Sequence, residues 1–123
     1  MSYYVNRAKS TNNNVLKARY CDVLVEEWHI RDPEIVKIGI DAYLNNADFF
    51  SINNDLNNTI ISLMRAFILS KIINNKSFLE ESLNKSLKFI EDNKSNPNIL
   101  HFNKLIKKFQ ENKEEYKNCS KEQ

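Results

Sequence analysis

One glycine, two prolines and two cysteines among 123 residues leave little material for tight turns, linkers or covalent cross-links. Sheet hairpins draw on glycine and proline for their turns, so the scarcity of both argues against an all-β or loop-rich fold. Cys21 and Cys119 stand far apart, one inside an apolar stretch and the other in the polar tail. That spacing fits neither a disulfide framework nor a zinc site, and a reducing cytoplasm is the expected compartment. The longest apolar stretch, Ile60 to Ile73, is too short for a bilayer and carries Arg65 and Lys71; Met1 to Asn14 lack the apolar segment of a secretion signal. A dominant charge is missing as well. The 18 basic and 16 acidic residues leave a net charge of +2, which argues against a strong overall field for nucleic acid or a membrane surface.

What the chain does contain is long amphipathic runs of Leu, Ile, Lys, Glu and Asn, and 41% hydrophobic residues, enough for one core. The expected fold is therefore all-α, with about five antiparallel amphipathic helices in a bundle or short αα-hairpin solenoid. One helical domain is expected over residues 1–123, with 1–12 and 118–123 loosely ordered. The first predicted helix spans about Asn13 to Trp28. The second opens with Asp32 as cap and Pro33 in the first turn and runs to about Asn46. A third, Asn54 to Ile73, is apolar almost all round and is expected at the centre. A fourth follows the capping-box pattern of Ser77 and Glu80, and a fifth follows Asn96 and Pro97 and projects Ile99, Phe102, Leu105, Ile106, Phe109 and Tyr116 on one side. Gly39 is either a tolerated helix-interior glycine or a point of close helix approach.

Every second predicted helix recurs after about 44 residues, which resembles the spacing of HEAT and armadillo repeats more than that of tetratricopeptide repeats. A further likeness lies in residues 14 to 48. There Ala18-Arg19-Tyr20-Cys21-Asp22-Val23-Leu24 precedes Asp32-Pro33 and then Ile40-Asp41-Ala42-Tyr43-Leu44. This resembles the N-terminal helical region of certain large, mainly bacterial proteins of unknown function, in which an Ala-Arg-x-x-Asp-Val-Leu-Trp helix precedes an Ala-Tyr-Leu helix; Val25 stands where that pattern favours Trp. The resemblance implies an adaptor or regulatory module, a piece of a longer protein, and no catalytic residue.

The sharpest chemical grouping is Asp22, Glu26 and His29, whose spacing places two carboxylates and an imidazole on one helical stripe. Such a trio could ligate a divalent metal or exchange protons, but side-chain pairing along a solvated stripe, Arg19 with Asp22 and Glu26 with His29, explains it more simply. Cys21 reads as a small core residue and His101 as an isolated one. No phosphate loop, zincin motif or nucleophile elbow is present, so no catalytic residue, metal or cofactor is expected. Arg65 sits mid-helix in the most apolar segment and needs an acidic partner, for which Asp22 and Asp41 are the candidates.

The expected role is a noncatalytic protein-interaction or scaffold module that meets a protein partner or a second copy of itself. Helices one and two have apolar sides too broad for one neighbour to cover, which nominates Leu16, Tyr20, Val25, Trp28, Val36 and Tyr43 as the contact surface. Refolding of Tyr3, Tyr4 and Val5 over that surface is another way to cover it. The alternative function is weak nucleic-acid contact through Lys85, Lys88, Lys94, Lys104, Lys107 and Lys108, which interspersed glutamates disfavour. No small-molecule substrate or membrane partner is indicated.

Overall fold

The computed structural model describes the backbone of residues 1–122 and the side chains of residues 1–111. Tyr116, Cys119 and the tail from Asn118 onward lie outside the described side chains. Among the described residues the protein is all-α, with six helices and no strand: α1 (Ser2–Ser10), α2 (Asn14–Glu26), α3 (Pro33–Ile52), α4 (Leu56–Ile72), α5 (Lys76–Asp92) and α6 (Ile99–Glu122). The chain divides into two compact units, 1–82 and 83–123.

The residues that begin each helix explain its place. Asn13 caps α2, its side-chain oxygen accepting from the amides of Val15 and Leu16 at 3.0 and 3.2 Å. Asp32 caps α3 by accepting from Glu34 N, with Pro33 in the first turn and Glu34 favourably placed at the positive end of the helix dipole. Two asparagines serve as stops. Asn54 and Asn74 hold φ of 58° and 51°, in the left-handed region that asparagine tolerates better than most residues. After each, the next amide returns five residues, Asp55 N to Phe50 O and Asn75 N to Ser70 O. Asp55 and Asn75 then cap the following helices through the amides of Asn58 and Phe78. The same short turn thus closes both α3–α4 and α4–α5 at an interval of 20 residues, and turns so short force the flanking helices to run antiparallel. The Ser77–Glu80 capping box gives way to Asn75, whose side-chain oxygen reaches Phe78 N at 3.0 Å.

Within the first unit, α1 packs on α2 and α3, α2 on α3, and α3 on α4. The central position belongs to α3, not to the more uniformly apolar α4. Its core gathers Val25, Val36, Ile40, Leu44, Ala66 and Leu69, with Tyr43, Ile72, Ile73 and Phe78 packed against them. Gly39 resolves as a point of close approach: a Cβ there would lie 2.8 Å from Cys21 Cβ. The absent side chain lets α2 and α3 touch. The second unit has its own cluster, with Phe89, Ile90, Ile99, Phe102 and Ile106 buried and the rings of Phe89 and Phe102 6.5 Å apart in a T-shaped arrangement.

Two boundaries differ from the sequence expectation. Residues 2–10 form a helix with Ala8 fully buried, so the apolar side of α2 is partly covered by the chain's own beginning. The second predicted helix continues past Asn46 to Ile52, because Asn46 is an interior residue whose Nδ2 donates to Asn14 O at 3.2 Å and does not break the helix.

Candidate functional site

Two features of the first unit could carry function: a polar cluster where α2, α3 and α4 meet, and an apolar ledge at one end. The cluster is built on Asp22, one helical turn before Glu26 on α2. Arg65 of α4 donates through Nη2 to Asp22 Oδ1 at 2.6 Å and to Glu26 Oε1 at 3.1 Å. Tyr43 of α3 donates its hydroxyl to Asp22 Oδ2, and the Arg65 guanidinium carbon lies 6.0 Å from the Tyr43 ring centroid. Asp22 therefore joins three helices through two oxygens. Burial works to lower the Arg65 pKa, but the Asp22 carboxylate and Tyr43 outweigh it and the net shift is upward. Tyr43 is pushed well above the usual phenol range, first by burial and then by its bond to Asp22. Both groups keep their protons across the physiological range. The cluster is suited to holding helices together, and its donors already have acceptors.

Arg65 thus meets Asp22, as one of its two candidate partners; Asp41 is exposed and takes no part, since Glu26 supplies the second carboxylate. His29 leaves the stripe it was expected to share. The α2 helix ends at Glu26, and His29 takes a φ of 54° while Ile30 N returns to Leu24 O and Arg31 Nη1 donates to Val25 O. Two carboxylates bound by arginine and an imidazole beyond the helix end do not make a ligand set, and no group of three His, Cys, Asp or Glu placed to hold a metal occurs among the described residues. Cys21 is fully buried, and burial followed by the nearby Asp22 charge pushes its thiol up to about 11. It stays protonated and unreactive at neutral pH.

The nominated contact surface divides. Leu16 and Trp28 are 38% and 49% exposed, and Tyr20 and Tyr43 are half-buried. Val25 and Val36 are corrected to core residues: both belong to the packed cluster between α2, α3 and α4, where a binding partner cannot reach them. The sequence reading missed Phe49 and Ile52, which stand 62% and 81% exposed on the last turns of α3. The signal was available in their three-residue spacing, which puts them on one helical face, but it was hidden by ending the helix at Asn46. Because α3 has 20 residues and α2 only 13, the end of α3 runs past its neighbour. The bond from Asn46 to Asn14 O sets this overhang beside the start of α2, where Val15 is also 46% exposed. The ledge denotes the exposed apolar residues at these two helix ends, Val15 and Leu16 of α2 and Phe49 and Ile52 of α3.

No protein-family model, curated protein or solved structure matches the chain. No helix among the described residues is long and apolar enough to cross a membrane.

Proposed function

We propose that the chain is a noncatalytic protein-interaction module whose contact face is the ledge of Val15, Leu16, Phe49 and Ile52. The observation that carries this reading is the exposure of Phe49 and Ile52, two large apolar side chains one turn apart on a helix that outruns its neighbour. Isolated exposed apolar residues are ordinary on proteins, whereas grouped ones rimmed by polar side chains are typical of contact sites. The closed polar cluster supports the same reading, since its hydrogen-bonding capacity is directed into the fold. The reading is of the same kind as the adaptor role implied by the resemblance of residues 14 to 48, and the location proposed for the module is the cytoplasm.

The double variant Phe49→Glu with Ile52→Glu tests it. Both side chains face solvent, so the helical circular dichroism and thermal midpoint should stay close to those of the unaltered protein. Photo-crosslinking from position 16, at the start of α2, should trap a discrete protein adduct, or a dimer of the chain, that the Phe49→Glu, Ile52→Glu background loses. An unaltered protein that remains an uncrosslinked monomer in its native lysate would remove the basis for the proposal.

A further inference from the structure

Residues 1–21 contain Arg7, Lys9, Lys17 and Arg19 and no Asp or Glu. Four cations exceed the net charge of +2, so the rest of the chain is net acidic and its excess positive charge lies on α1 and the first part of α2. α1 packs on α2, so these cations lie on adjoining helices. Residues two apart on a helix point about 200° apart, so one member of each pair serves a given side, and Arg7 is the one that shares the side of Tyr3. Aromatic rings follow the same junction: Tyr3 and Tyr4 lie 5.3 Å apart, and Tyr4 and Tyr20 6.3 Å apart. The Arg7 guanidinium is 5.4 Å from the Tyr3 centroid, and exposed Arg19 directly precedes Tyr20. Tyr3 is 57% exposed. Asp22, the first acidic residue in the sequence, is already bonded to Arg65 and Tyr43, while Glu26 lies about 10 Å further along α2 than Arg19.

We propose that this α1–α2 face binds single-stranded nucleic acid, with phosphates on Arg7 and Arg19 and a base stacked on Tyr3. A cationic surface that tracks the backbone beside aromatic rings that accept unpaired bases is the general means of holding a single strand. Arginine suits both halves of the task, because its planar fork matches phosphate oxygens and stacks on rings. An anionic membrane would be drawn by the same cations. A helix that lies in a membrane interface must, however, turn an apolar side outward, and α1 uses its own against the protein: Ala8 is fully buried and Tyr4 and Val5 are half-buried. This face is separate in composition from the proposed protein-binding ledge, and neither proposal depends on the other.

Fluorescence anisotropy of the full chain with a labelled oligothymidylate, titrated from low to physiological salt, reads the interaction directly. Two phosphate contacts give an expected slope of log K against log salt of roughly −1.4. Arg7→Glu combined with Arg19→Glu should weaken binding at least about tenfold, and Tyr3→Ala about tenfold, with circular dichroism unchanged. Lys104→Glu combined with Lys107→Glu in the second unit should leave binding as it was. The proposal is overturned by absence of binding at low salt, by undiminished binding of the Arg7/Arg19 variant, or by loss in the Lys104/Lys107 variant alone. Binding to phosphatidylserine vesicles without binding to the oligonucleotide overturns it too, and assigns the face to a membrane.

Discussion

Replacing Gly39 by alanine sets two effects of known sign against each other. In an exposed helix interior the change would stabilise by about 1 kcal/mol, because glycine leaves more backbone freedom to lose on folding. At Gly39 the new Cβ would lie 2.8 Å from Cys21 Cβ and 3.4 Å from both Cys21 Sγ and Leu69 Cδ1. Carbon atoms pack best at about 3.5–4.0 Å, so the Cys21 contact demands roughly 0.7 Å of separation or more. A Cβ cannot rotate out of the way. The whole α2–α3 crossing must open, and overpacking of this kind costs about 1–3 kcal/mol. The expected net result is a loss of about 1 kcal/mol, and a thermal midpoint lower by roughly 4–8 °C for a cooperative unit of this size. Urea unfolding followed by circular dichroism measures it. The decisive comparison uses Cys21 variants: Cys21→Ala keeps the offending Cβ, and Gly39→Ala should remain costly on that background. On Cys21→Gly, itself less stable, Gly39→Ala should become favourable. Gly39→Ala that stabilises the unaltered protein, or that has the same effect on both Cys21 backgrounds, would refute the close-approach argument.

Four further outcomes follow from the same packing. The folded Cys21 pKa is raised from 9.0 to about 11, so the folded state holds its proton more tightly than the unfolded one; stability from this group is complete below pH 9 and is lost as pH rises towards 11. Unfolding free energy measured across that interval should fall less steeply in Cys21→Ala. In a double-mutant cycle, Asp22→Asn and Arg65→Met should couple by about 1 kcal/mol, since the pair is only partly buried, and additive effects would show the bridge to be energetically idle. Asn54→Ala and Asn74→Ala should each cost about 1 kcal/mol, because alanine tolerates the left-handed region poorly, while the glycine variants should be near neutral by urea unfolding. Val25→Glu should abolish cooperative unfolding and Leu16→Glu should not, as a carboxylate at a 2% exposed site has no partner and one at a 38% exposed site meets water.

Much of the architecture was legible because helix periodicity and capping are local. Asp32-Pro33 marks the start of α3, and the apolar stripe of α4 was read within about two residues of its observed ends. The link from Arg65 to Asp22 could be narrowed to two candidates by charge alone, whereas choosing between them required knowing which turn of α2 faces α4. Tyr43 was read as surface although its hydroxyl completes that cluster, because ring and hydroxyl give opposite signals in a hydrophobic pattern. The paired asparagines had the least local meaning. Asn46 is buried inside α3, while Asn54 and Asn74 end their helices, and nothing in an Asn-Asn doublet says which of these it will do. Val25 and Val36 were misplaced for a related reason: an apolar surface wrapping most of a helix can mean several intramolecular neighbours as readily as a binding face.

That ambiguity bears directly on function. An excess of apolar surface on α2 and α3 is the physical motive for an interaction module, and α1 covers part of that excess by packing on both. If coverage by α1 were complete, no physical motive for a partner would remain on this pair. It is incomplete in a specific place, because α1 lies along α2 while the last turns of α3 extend past the start of α2. Leu16, Val15, Phe49 and Ile52 remain outside. Removing residues 1–12 should therefore destabilise the first unit, through exposure of what Ala8 covers, without altering any contact made at the ledge. Loss of ledge crosslinking in a truncated protein that still unfolds cooperatively would mean that α1 itself carries the contact.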